Sequence, residues 1–112
     1  MSTTKDQIWK KVKELEDRLA EVEEKRTRIE EELMSLPNGH LESKSINGRV
    51  YYYLRYWEEG KLKSKYLGRD ATKVKEQVQR ASDLKRELTI LKEEERRLRK
   101  TLERITLALS GQ

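Results

Sequence analysis

Apolar residues recur through the first third of the chain at alternating steps of four and three. Ile8, Val12, Leu15, Leu19, Val22, Arg26, Ile29, Leu33 and Leu36 form one seam, in which Arg26 is the polar member. That spacing holds one stripe toward a partner helix and predicts a long helix with a coiled-coil seam. Thr4 and Gln7 have the spacing of a capping box at its start, and Pro37-Asn38-Gly39 ends it. A second seam runs through Val74, Val78, Ala81, Leu84, Leu88, Leu91, Glu95, Leu98, Leu102, Ile105 and Leu109. It has a 3-3 step at Val78-Ala81-Leu84, Asp70 or Thr72 placed to cap its start, and Gly111 after its end.

The seams match antiparallel when paired residue numbers sum to 110: Leu36 with Val74, Ile29 with Ala81, Val22 with Leu88, Val12 with Leu98, Ile8 with Leu102. Each helix would then span roughly 50–60 Å at about 1.5 Å per residue. Arg26 falls opposite Leu84 and Glu95 opposite Leu15, so the two do not meet within one hairpin. Either both charged heads reach solvent along their stems, or they form a buried polar layer that sets register in a dimer.

Between the seams the period drops to two. Asn47-Gly48, flanked by alternating residues, is a hairpin signal, because both central residues of a type I′ turn need φ > 0. It pairs Ile46 with Arg49, Ser45 with Val50 and Leu41 with Leu54. Glu58-Glu59-Gly60 reads as a three-residue turn with Gly60 in the left-handed position, pairing Trp57 with Lys61, Tyr56 with Leu62, Leu54 with Ser64 and Tyr52 with Tyr66. One face then collects Leu41, Val50, Tyr52, Leu54, Tyr56, Leu62 and Tyr66. The other collects Lys44, Arg49, Tyr51, Tyr53, Arg55, Trp57, Lys61, Lys63 and Lys65, with Ile46 and Leu67. A one-residue slip would set Tyr56 opposite Lys63 and mix the sets, so the segregated register is the expected one.

The expected fold class is α+β, mostly α. A long antiparallel coiled-coil hairpin, residues 1–36 and 70–112, carries a three-stranded antiparallel sheet, residues 37–69, in one folding unit. Three strands need a cover. Val74, Val78, Met34 and Leu36, or a second subunit, are the candidates, and Tyr52, Tyr56 and Tyr66 are expected in the core. The apolar surface left over predicts a homodimer or higher oligomer.

Charge sharpens the functional reading. Of the net +5, residues 1–36 carry −2, residues 37–69 carry +4 and residues 70–112 carry +3. A basic face interleaved with aromatics suits nucleic acid, DNA more than RNA. Lys44, Arg49, Arg55, Lys61, Lys63 and Lys65 would meet phosphates; Tyr51, Tyr53 and Trp57 would pack on sugars or bases. Lysines on an edge strand also protect it against pairing with another chain. That accounts for Lys61, Lys63 and Lys65 but not for the aromatics of a central strand. The chain is 42% charged and has no Cys and one His, so no disulfide and no metal site is expected. His40 is read as a solvated residue at a loop edge. Glu30-Glu31-Glu32 and Glu93-Glu94-Glu95 are helix charge runs, and no phosphate-binding glycine loop occurs. An enzyme, a cofactor and a small-molecule substrate are therefore not expected. No apolar run approaches the roughly 18 residues of a membrane span, and a cytoplasmic location is expected.

Tyr51, Tyr53, Gly60, Lys61, Tyr66, Leu67 and Gly68 make the pattern Y-x-Y-x-x-x-x-x-x-G-K-x-x-x-x-Y-L-G. Over about residues 46–80 it resembles small three-stranded-sheet DNA-binding modules such as the arm-binding domains of lambda-type tyrosine integrases. The resemblance implies a sheet packed on the following helix, with its exposed face in the major groove. Tyr51, Tyr53, Arg55, Lys63 and Lys65 would be the groove-facing residues. No integrase catalytic domain accompanies it, so recombinase activity is not implied. The helix–sheet–helix outline is also similar to prefoldin subunits, which implies a chaperone that holds clients at the open helix ends, near Trp9 and Leu107.

Overall fold

The computed structural model describes residues 3–111. The chain order is α1 (Thr4–Met34), β1 (Gly39–Ile46), β2 (Arg49–Glu58), β3 (Lys61–Gly68) and α2 (Thr72–Ser110). Two helices with a three-stranded antiparallel sheet between them is the fold class read from the sequence. The helices hold 31 and 39 residues, more than half of the chain. They contribute to two compact units: one joins the residues up to Glu30 to those from Glu87 onward, and the other is Glu31–Arg86. No helix among the described residues is long and apolar enough to cross a membrane.

In the first unit the two helices run antiparallel. The N-terminus of α1 is closed by a reciprocal cap. Thr3 Oγ1 accepts the Asp6 N–H at 3.1 Å, and the Asp6 carboxylate accepts the Thr3 N–H at 3.2 Å. The capping box therefore sits one residue ahead of the Thr4–Gln7 pair, with Asp6 filling the acceptor role expected of a glutamine. Val22, Ile29 and Leu91 are buried, and all three belong to the predicted seams.

The register of this unit is not the expected one. Arg18 bonds Glu94 through Nε at 2.6 Å and Nη2 at 3.0 Å; Arg99 reaches Glu23 at 2.6 Å; Arg26 Nε lies 2.7 Å from Glu95 Oε2. The residue numbers in these pairs sum to 112, 122 and 121, centred about one heptad beyond 110. A heptad pattern is unchanged by a slide of seven, so apolar matching alone does not choose between the two registers. The polar seam members choose. At a sum of 110, Arg26 and Glu95 would lie eleven residues out of step; a heptad further on they are four residues out of step, one layer apart, and they meet. Their side chains are 27% and 13% exposed, so neither head is simply released to solvent. Arg26 also donates to Glu30 at 3.0 Å, and Arg99 to Glu95 at 3.0 Å. The Arg26 Nε–H is not aimed at an acceptor, which makes the 2.7 Å approach a charge contact rather than an aligned hydrogen bond. Burial pushes the Glu95 carboxyl up, but the Arg99 hydrogen bond and the Arg26 charge outweigh it and hold it below the usual value.

In the second unit the sheet order is β1-β2-β3. The first hairpin has the predicted register, Ile46↔Arg49 through Leu41↔Leu54, closed by Asn47 and Gly48 at φ 51° and 77°. The Trp57 N–H adds a bond to the Asn38 carbonyl at 3.3 Å beyond the end of the ladder. Gly39 is required at the start of β1, because a Cβ there would lie 2.0 Å from the Arg55 carbonyl oxygen. The second hairpin is slipped by one residue. Its turn is the two residues Glu59-Gly60, at φ 52° and 74°, and it sets Glu58↔Lys61, Tyr56↔Lys63, Leu54↔Lys65 and Tyr53↔Tyr66. A bulge follows, after which Tyr52 pairs with Gly68. Asp70 opens α2 by accepting the Thr72 N–H at 3.1 Å and the Thr72 hydroxyl at 2.7 Å. Arg80 holds Glu32 through two bonds of 2.7 and 3.0 Å.

Replacing Glu95 by Leu leaves Arg26 without its cross-helix partner, and we expect it to lower Tm by about 4–8 °C. Arg26→Leu combined with Glu95→Leu should recover part of that loss, since the pair is then apolar on both sides. The folded-state carboxyls of Glu93 (about 2), Glu94 and Glu95 lie below the ordinary 4.5. The Arg96 hydrogen bond is the main cause for Glu93, and the Arg18 hydrogen bond for Glu94. Their stabilisation is thus complete above about pH 4.5 and lost as pH falls through the folded values. Thermal melts between pH 7 and pH 2 should show this loss, and Glu95→Gln should diminish it.

Candidate nucleic-acid interface

Side chains alternate along a strand, so the register fixes which groups share a face. On the outer face β1 places His40, Glu42, Lys44 and Ile46, and β2 places Arg49, Tyr51, Tyr53, Arg55 and Trp57. Opposite them on β3 stand Tyr66, Ser64 and Leu62. On the other face lie Leu41, Val50, Tyr52, Leu54 and Tyr56, with Lys61, Lys63 and Lys65.

The face with Leu54 is the inner one. Leu54 is 8% exposed, and Tyr52 lines a cleft with Ala71, Thr72, Lys75 and Gln79, so this face lies against the first turns of α2. Val74, Val78 and Leu36 are half-buried, whereas Met34 is 87% exposed and covers nothing. Tyr52 and Tyr56 are half-buried as core residues should be. Tyr66, expected with them, is 55% exposed on the outer face.

Six of the nine predicted contact residues are therefore together: Lys44, Arg49, Tyr51, Tyr53, Arg55 and Trp57. Lys61, Lys63 and Lys65 are not with them. The slip turns all three to the inner side of the edge strand, where Lys63 lies 3.6 Å from Glu58. The expected segregation of apolar and basic sets fails for β3, and the outer face exchanges three lysines for Leu62, Ser64 and Tyr66. The signal that could have found this is local. Two residues at φ > 0 match the twist of the flanking strands, and Gly60 with Glu59 supplies them although Glu is a poor residue there.

The outer face has an aromatic centre. The Tyr66 ring sits 5.3 Å from that of Tyr53 and 6.3 Å from that of Tyr51. Lys44 Nζ lies 5.3 Å over the Tyr53 ring, a cation–π contact. Trp57 is 58% exposed beside Leu62. Arg55 stands between Tyr53 and Trp57; its Nη1 is 3.7 Å from Glu42, and its Nε–H has no acceptor among the described residues. His40 belongs to β1 rather than to a loop, and its Nε2 lies 3.1 Å from Glu42 Oε1. The arrangement offers flat π-faces with cations at their margins. Among the described residues no group of three His, Cys, Asp or Glu could hold a metal ion.

A family model, Domain of unknown function (DUF6788), matches residues 10–79, a stretch that contains the whole sheet. No curated protein and no solved structure matches the chain.

The turn can be tested by easing its strain. Glu59 holds a left-handed conformation that asparagine adopts more readily. Glu59→Asn should stabilise the protein by about 0.5–1 kcal/mol in urea unfolding. In a three-residue turn Glu59 would have φ < 0, and the substitution would bring no gain.

Proposed function

We propose that this chain, which belongs to the DUF6788 family over more than half of its length, binds nucleic acid through the outer face of its sheet. The observation that carries the proposal is the arrangement of Tyr51, Tyr53, Tyr66 and Trp57 on one surface with Lys44, Arg49 and Arg55. Aromatic rings in water are costly unless something covers them, and cations at their margins favour a polyanion whose bases offer π-faces. The protein acts in the cytoplasm, without catalysis or cofactor, and its site residues are Lys44, Arg49, Tyr51, Tyr53, Arg55, Trp57 and Tyr66. Lys61, Lys63 and Lys65 protect the β3 edge.

A second reading draws on the first unit. Trp9, Val12, Leu102, Ile105 and Leu109 line a groove of about 580 Å³ between the helices. Such a groove suits a second copy, giving the homodimer, or a non-native client held in the prefoldin manner.

A gel-shift series on duplex DNA, single-stranded DNA and RNA at about 50 mM salt separates the two. Binding should weaken with salt, with a log–log slope of at most about −0.9 per neutralised phosphate on a duplex. Lys44→Ala with Arg55→Ala should weaken binding to every sequence and flatten the slope. The groove reading instead predicts suppression of client aggregation that those changes leave intact and Trp9→Ala removes. No shift at tens of micromolar protein on any of the three nucleic acids would refute the binding proposal.

A further inference from the structure

The outer face is rich in rings and poor in charge. It carries Lys44, Arg49 and Arg55 as cations, and Glu42 lies 3.7 Å from Arg55 and offsets part of its charge. A duplex reader draws most of its affinity from phosphates neutralised by many Lys and Arg. The slip removes from this face the three lysines that would have done so. In exchange it brings Tyr66 against Tyr53 and Tyr51, and leaves Trp57 and Leu62 exposed. A duplex conceals the flat faces of its bases. A single strand presents them, and stacking on aromatic side chains is then sequence-tolerant.

The spacing supports the same partner. Tyr53 and Trp57 lie four residues apart on β2, about 13 Å at roughly 3.3 Å per residue. The face thus has two stacking points, the tyrosine cluster and Trp57. Arg55 stands between them, Lys44 is over Tyr53, and Arg49 lies beyond Tyr51. A strand laid along β2 would stack bases at both points and bring its backbone past Arg55. The span is that of a short site of about four nucleotides, near the lower end for such platforms. We infer that the ligand of this face is single-stranded nucleic acid, stacked on Tyr51, Tyr53, Tyr66 and Trp57, rather than a duplex entered by its groove. The inference rests on the nucleic-acid reading above and narrows it to one class of ligand.

The experiment uses the full chain carrying Trp9→Phe, which leaves Trp57 as the single tryptophan. It is titrated at about 50 mM salt with a 12-mer of oligo(dT), a 12-mer of oligo(U) and a 12-base-pair DNA duplex. Trp57 emission and anisotropy of the labelled oligonucleotide are read together. We expect at least one single strand to bind about 10-fold or more tighter than the duplex, with quenching of Trp57. The ratio between oligo(dT) and oligo(U) distinguishes DNA from RNA as its source. The salt slope should be no steeper than about −2, three contacts at about −0.7 each. Tyr66→Ala should weaken binding between roughly 5-fold and 150-fold. Tyr66→Ile keeps strand propensity and apolar bulk without the π-face and should lose nearly as much, while Tyr66→Phe should retain binding. Lys61→Ala, Lys63→Ala and Lys65→Ala together should change it less than about 3-fold. A duplex bound as tightly as the single strands, with loss on the triple lysine change, overturns the inference and leaves nucleic-acid binding standing. So does single-strand binding that neither quenches Trp57 nor responds to Tyr66→Ile. Binding to none of the three ligands removes both readings.

Discussion

Because strand side chains alternate, one turn decides which face every residue of β3 joins. Glu59 and Gly60 form that turn with two residues, both at positive φ. What β3 brings to the outer face follows from it: Tyr66 meets Tyr53, Leu62 meets Trp57, and three lysines point the other way. A three-residue turn built from the same sequence would give a strongly cationic face and a clean apolar one. The chain instead forms a cross-strand aromatic cluster and accepts a glutamate in the left-handed region. A type I′ turn matches the right-handed twist of its strands, and aromatic pairs across strands contribute about 0.2–1 kcal/mol each. The inner face tolerates the lysines because β3 is an edge strand. Lys61 and Lys65 are exposed there, and Lys63 has Glu58 within 3.6 Å.

The helix pair shows a related ambiguity at another period. A seam of regular heptads is satisfied by several registers. What separates them is whether Arg26 and Glu95 come within reach of each other. These charges are only partly exposed, and the structure supplies partners for both: Glu95 and Glu30 for Arg26, and Arg26 and Arg99 for Glu95. The pair is better understood as selecting among registers than as a source of stability.

Much of the fold was legible in the sequence because its signals are periodic. The seams from Ile8 to Leu36 and from Val74 to Leu109 mark both helices, and Asn47-Gly48 fixes the first hairpin with its register. Six of the nine candidate residues share a face because of that hairpin, since Lys44 and the odd-numbered residues of β2 do not depend on the second turn. The three lysines depended on it wholly. There the segregation of apolar and charged side chains pointed one way and turn geometry another, and backbone geometry prevailed. Tyr66 was missed for the same reason. The helix register was missed because a match at 110 uses only apolar residues, whereas the choice belongs to the two polar ones.

The account depends most on the β2–β3 register, which nuclear Overhauser contacts in the full chain in solution measure directly. It predicts cross-strand proximity of Tyr53 to Tyr66, Arg55 to Ser64 and Trp57 to Leu62. Contacts of Tyr52 with Tyr66, Leu54 with Ser64 and Tyr56 with Leu62 would instead return the three lysines to the outer face, and would contradict both the stacking platform and the ligand assigned to it.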